Sequence, residues 1–197
     1  MSGEKRTYTK KARARAEEAT RMRITESAVA LHDAVGPAQT TMSAIAARAG
    51  VTRSTLYRHF PDEGAVFDAC SAHWAAANPA PDPTAWPAIE DPGERTRTAL
   101  GALYPYYRRN ERMLANLLRD EQTVAVVRER FAAFHAFLDA IQQILLAGRG
   151  LRGNARRVAA AAIGHALGFA TWQSLAQQGL SDSEAADLMT ALVDSAA

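Results

Sequence analysis

Apolar residues recur three and four apart along most of this chain, broken by Gly, Pro and capping hydroxyls, and nowhere alternate as in a half-buried strand. Ile24, Ala28, Leu31 and Val35 form a stripe that predicts a first helix over about 16–35, ended by Gly36-Pro37. Thr41 suits the N-cap of a short second helix carrying Ile45 and Ala46. Gly50 supplies the positive φ for a tight reversal, which Val51 plugs. Thr52 then caps a third helix, whose Leu56 and Phe60 stand at i and i+4 and must face a core. A fourth helix shows Val66, Phe67, Cys70 and Trp74 on one side; Pro61 suits its first turn, and Asp62 and Glu63 suit its dipole.

Residues 78–93, NPAPDPTAWPAIEDPG, carry five prolines and mark a break. Helical spacing resumes at Leu100, Leu103, Tyr104 and Tyr107, where Pro105 is expected to kink or end the helix. A short helix follows around Met113, Leu114, Leu117 and Leu118. A long one carries Val124, Val127, Phe131, Phe134, Leu138, Ile141 and Leu145 on one face. Residues 154–178 place Val158, Ala162, His165, Phe169 and Trp172 on a stripe among many Ala and Gly. Ser181 with Glu184 forms a capping box for a last helix bearing Leu188, Met189, Leu192 and Val193. The expected fold is all-α, with about nine helices. Residues 1–15 are polar, basic and aperiodic and read as a disordered arm in the absence of DNA. Residues 16–77 read as a helix-turn-helix head and 78–197 as a helical body.

The third helix carries the informative chemistry. At 100° per residue, Ser54 and Arg58 point opposite the Leu56/Phe60 pair, with Thr55 and Tyr57 on the flanks; Arg53 reaches outward from the first turn. No acidic residue lies between Thr52 and Phe60. A face of hydroxyl, guanidinium and phenol groups suits base edges and phosphates. The net charge of +2 is unevenly spread: residues 1–60 hold 11 Lys and Arg against 5 Asp and Glu, and residues 61–197 hold 12 against 16. The basic end carries the electrostatic footprint of a nucleic-acid binder.

The run TTMSAIAARAGVTRSTLYRHF, with the apolar helix that follows it at 65–74, resembles the DNA-binding domain of the TetR family of one-component transcriptional regulators. The resemblance spans about 45 to 60 residues, a length far more specific than a short motif. Beyond residue 80 it rests on length and helical pattern. It implies a three-helix DNA-binding head, a regulatory body, and a homodimer joined through the last two long helices. Position by position it implies base contacts by Arg53, Ser54 and Thr55, and phosphate contacts by Thr41, Tyr57 and His59. Arg58 suits either role, Thr52 lies in the same surface, and Ser43 is a further base-contact candidate. Many members carry Lys where this chain has Glu63, and acidic residues are common where it has Gly64. A carboxylate repels the phosphate a lysine would hold, so that contact is not expected here.

The resemblance also implies a pseudo-palindromic double-stranded operator and a small-molecule effector that releases the protein from it. The expected effector site gathers Tyr104, Tyr107, Met113, Phe134, His135, His165 and Trp172, apolar walls with a few polar handles that favour a hydrophobic molecule. The bland reading of the same residues is core packing, with satisfied histidines. The alternative function is a ligand-independent or protein-controlled regulator whose body serves dimerisation only.

Other classes find little support. The single Cys70 cannot form an internal disulfide and fits a reducing compartment. The N-terminus has no apolar h-region, and Val158–Trp172 is too short and too rich in Ala and Gly to span a membrane, so a cytoplasmic protein is expected. GRGLRG at 148–153 matches a dinucleotide-binding glycine pattern in letters only, since it joins two helices and follows no strand. There is no HExxH, GxSxG or metal-spaced Cys/His cluster. No enzyme, cofactor or metal is expected.

Overall fold

The computed structural model describes residues 2–196, with side chains from Lys10 onward; Met1 and Ala197, the outer ends of the expected arm and body, lie outside it. The described residues form ten α-helices and two 3-10 turns, with no strand. The helices are α1 (Ser2–Val35), α2 (Met42–Arg48), α3 (Arg53–His59), α4 (Glu63–Ala77), α5 (Pro92–Arg109), α6 (Glu111–Asp120), α7 (Ala125–Leu146), α8 (Gly153–Leu167), α9 (Phe169–Gln177) and α10 (Asp182–Ser195). The chain divides into two compact units, Met1–Asn78 with Ala115–Arg130, and Pro79–Leu114 with Phe131–Ala197.

In the first unit, Ile24, Ala28, Met42, Ile45, Ala46, Leu56, Phe60, Val66 and Cys70 share one core. α2 ends in a Schellman motif: Val51 N–H donates to Ala46 O at 3.0 Å and Gly50 N–H to Ala47 O at 3.2 Å. Gly50 has φ 65° and open space where a Cβ would stand, so conformation rather than crowding calls for glycine there. Asp62 is the N-cap of α4, accepting from Ala65 N at 2.8 Å, so Pro61 precedes the cap instead of occupying the first turn.

Two features of this unit depart from expectation. The segment read as a disordered arm is helical from Ser2, and α1 runs unbroken to Val35. Lys, Arg, Ala and Glu are all good helix formers, so an aperiodic charged stretch can extend a helix nucleated by its packed half. Residues 115–130, which the sequence reading gives to the body, pack with the head. Asn116 Nδ2 donates to the carbonyls of His32 (3.0 Å) and Asp33 (2.8 Å), Arg119 to that of Val35 (3.1 Å), and Asp120 accepts from Ala38 N at 2.9 Å. Asn116 and Arg119 thus supply donors to carbonyls in the last turn of α1, and Asp120 holds the amide of the 3-10 turn that follows. Arg130 reaches Asp68 of α4, whose carboxyl is held below its usual range by that hydrogen bond.

In the second unit α5 packs along α10, and α8 and α9 close over them. Pro105 does not end α5, which continues to Arg109. The carbonyl it leaves unpaired belongs to Gly101, which is exposed to water, while the buried Tyr104, Tyr106 and Tyr107 hold both halves in place. The stretch expected as one helix over 154–178 is two, broken at the extended Gly168. Tyr104 OH donates to Ala166 O at 2.8 Å and Tyr107 OH to Leu167 O at 2.6 Å, so α5 supplies partners for the last carbonyls of α8. Burial raises both phenols well above the ordinary range. The capping box of α10 is present as expected. The glycine-rich loop 148–153 joins α7 to α8; its buried Arg149 pairs with Asp194 at 2.9 Å and donates to Thr96 Oγ1 at 2.7 Å.

Candidate nucleic-acid interface

α3 has only seven residues and owes its stability to capping and packing rather than to its own propensity. Thr52 Oγ1 accepts from Thr55 N at 3.2 Å, and Leu56 and Phe60 are wholly buried. With that pair fixed inward, Arg53, Ser54, Tyr57 and Arg58 are exposed and Thr55 and His59 half-buried, the rotation expected from helix geometry. Thr52 Oγ1 lies 2.9 Å from both Ser54 Oγ and Thr55 Oγ1. Each hydroxyl offers one donor and two acceptor sites, so this cluster keeps capacity for a base or phosphate. The Arg53 guanidinium lies 5.9 Å from the Tyr57 ring, one turn along the same face. Arg58 and His59 stand in the last turn, where the helix dipole favours cations.

Thr41 caps α2, accepting from Ala44 N at 3.1 Å, and both Thr41 and Ser43 are exposed beside this surface at the start of that helix. The nine residues Thr41, Ser43, Thr52, Arg53, Ser54, Thr55, Tyr57, Arg58 and His59 therefore all belong to the two helices of the helix-turn-helix, their caps included. The Nε2 of His59 is buried and without a hydrogen-bond partner, so a contact through that nitrogen requires the ring to move. Glu63, at the start of α4, is exposed and acidic.

One contributor escapes sequence reasoning. Arg21 of α1 donates to the His59 carbonyl at 2.8 Å and lies 4.1 Å over the Phe60 ring. A charge-assisted hydrogen bond and a cation–π contact together fix the C-terminal end of α3. A lone arginine 38 residues upstream carries no local signal of that role.

The expected effector residues fall into three groups. Tyr104, Tyr107 and Trp172 are fully buried, with Tyr107 and Trp172 rings 5.9 Å apart and Phe169 completing the cluster; Met113 is also buried. Trp172 Nε1 donates to Asp182 at 3.0 Å, and Arg108 holds the same carboxylate. Burial pushes the Asp182 carboxyl up, but those hydrogen bonds outweigh it and leave it below its usual range. Phe134 and His135 belong instead to a stack on α7, Phe134 lying 4.8 Å from Phe131 and 6.3 Å from His135. His165 is exposed, close to Thr171, and lines a groove of about 550 Å³ with Leu175, Leu188 and Leu192. In that groove Leu188 is 41% and Leu192 50% exposed.

No described helix is long and apolar enough to cross a membrane. Residues 24–70 match the model of the tetR family of bacterial regulatory proteins. No curated protein matches the chain. Among solved structures, a Clostridium perfringens protein described as a fatty acid metabolism regulator shares 16% identity at a TM-score of 0.65, over 89% of this chain and 98% of its own. A TetR-like transcriptional regulator from Rhodococcus sp. RHA1 shares 23% identity at 0.62, over 88% and 93%. At these identities the likeness shows a common fold.

Proposed function

We propose that this chain, whose residues 24–70 match the tetR family of bacterial regulatory proteins, is a DNA-binding transcriptional regulator of that family: a homodimeric repressor of a pseudo-palindromic operator, acting in the cytoplasm and released by a small hydrophobic effector. The observation that carries the DNA reading is the outward face of α3, exposed, free of acidic groups and clamped from behind by Leu56, Phe60 and Arg21. Arg53, Ser54 and Thr55 meet base edges; Thr41, Tyr57 and His59 meet phosphate. Thr52, Arg58 and Ser43 complete the surface.

The dimer contact is the groove beside α10. Leu188 and Leu192 are exposed at i and i+4, flanking the buried Ala185, Met189 and Val193, and share the groove lining with Met189. A second copy laying its own α8–α10 face there covers both leucines. His165 belongs to this contact rather than to an effector site. Effector binding in the second unit, near Tyr104, Tyr107, Met113, Phe134, His135 and Trp172, favours a head separation that misfits the operator; the coupling equals the effector's differential affinity for the two states.

One observation favours the ligand-independent alternative: the Tyr104, Tyr107 and Trp172 polar atoms are already paired within the protein, as core residues would be. Selection of the purified chain against a random duplex pool, followed by sedimentation of the complex, tests the DNA reading. Enrichment of an inverted repeat holding two protomers supports it, and no enrichment removes it. A thermal-shift screen of hydrophobic compounds, scored for loss of operator binding, separates the two regulatory readings.

A further inference from the structure

α1 is longer than the head requires. From Lys10 onward its first buried residue is Ile24, and residues 10–19 are all exposed. The helix nevertheless continues to Ser2, about 28 Å of rise before Arg21 at 1.5 Å per residue. That extension carries Lys5, Arg6, Lys10, Lys11, Arg13 and Arg15 against Glu4, with Glu17 and Glu18 following. Arg13 pairs with Glu17 at 3.1 Å. Exposed and outside the core of the head, this charge adds nothing to the packing of α1. It suits an external polyanion.

The place where the extension leaves the head identifies that polyanion. Arg21 ties α1 to the last carbonyl of α3, at the end of the helix whose face carries Tyr57 and Arg58. A helical basic extension therefore starts at the C-terminal end of the DNA-reading helix and is longer than the major groove is wide, about 12 Å. Resting on the DNA-binding reading, we infer that the helical extension of α1 lies along the phosphate backbone flanking each half-site, adding counterion release without base preference. Lys10, Lys11 and Arg15 contact phosphates directly, and Arg13 does so when it leaves Glu17. Helical order lowers the entropic cost of this contact relative to a flexible arm and fixes which phosphates are met.

The test replaces Lys10→Ala, Lys11→Ala, Arg13→Ala and Arg15→Ala together in the full chain. Alanine raises helix propensity at exposed positions, so the rod persists without its charge, and circular dichroism verifies it. Affinity for the selected operator is then measured from low to moderate salt, alongside backbone protection by hydroxyl radicals. When each protomer no longer neutralises roughly three phosphates, the log–log salt slope becomes shallower by about 5 for a dimer, and protection just outside the half-sites disappears while preference within them is retained. Flanking protection that survives the four substitutions overturns the inference, whatever the affinity. Failure of the wild-type chain to protect any discrete site is a different result, which removes the DNA reading on which the inference rests.

Discussion

Arg53, exposed in the first turn of α3, is the side chain best placed to read a guanine edge. Arg53→Ala then lowers operator affinity by about 1–3 kcal/mol and relaxes preference at one position in each half-site, measured by competition with single-base variants of the operator. A uniform loss across all sequences assigns it to phosphate. A second side chain reports on the head itself. His32 is buried, its ring 5.5 Å from Phe67 and its Nδ1 3.5 Å from Cys70 Sγ. Burial lowers its pKa to about 4, against the upward pull of Asp120, and pushes the Cys70 thiol up to about 12. The unfolded chain binds a proton at His32 near the ordinary value of 6.5 and the folded chain does not until about 4. His32 therefore costs nothing above pH 6.5, and stability falls between those two values by on the order of 3 kcal/mol. Urea unfolding across that window is expected to show the loss in the wild type and much less of it in His32→Phe; parallel curves would mean that the imidazole is protonated in the fold. The outward set on α3 was legible because a helix of known period with two obligate core residues leaves little freedom. Arg21 and His32 were not, since their partners lie tens of residues away.

Among the elements, α2, α3 and the capping box of α10 could be read from local punctuation, because a cap, a Schellman glycine and an i, i+4 pair act within a few residues. The break between α8 and α9 could not. It depends on two tyrosine hydroxyls from α5 reaching Ala166 and Leu167, about sixty residues away in sequence. That Pro105 does not end its helix has a related reason: the outcome depends on where the freed carbonyl lies, and here Gly101, which carries it, is exposed. The effector set, chosen along helical stripes, is divided among a buried aromatic cluster, a stack on α7 and the groove beside α10, since a stripe does not say which neighbour it meets. For α10 the two faces give a clean experiment. Leu188→Asp with Leu192→Asp leaves the buried Ala185, Met189 and Val193 untouched, and truncation of the helix would not. Light scattering is expected to show a folded monomer with a far weaker operator affinity; a dimer of unchanged strength places the interface on another surface.

At the scale of the whole molecule, charge is sorted by function. The basic N-terminal part carries the helix-turn-helix and the extension of α1, while the remainder of the chain is net acidic and is not drawn to DNA. In the proposed dimer, two protomers joined through α10 would present two α3 helices, and the symmetry of the protein would then dictate that of its site. The central claim is that this pair of heads reads an operator built as an inverted repeat. Methylation-interference mapping of guanine N7 on the selected duplex tests it most directly, because it reports which major-groove edges are read. Two clusters of interference related by a two-fold axis are expected, centred about 34 Å or one helical turn apart and both weakened in Arg53→Ala. A single asymmetric cluster, or two that persist unchanged without the Arg53 guanidinium, would contradict it.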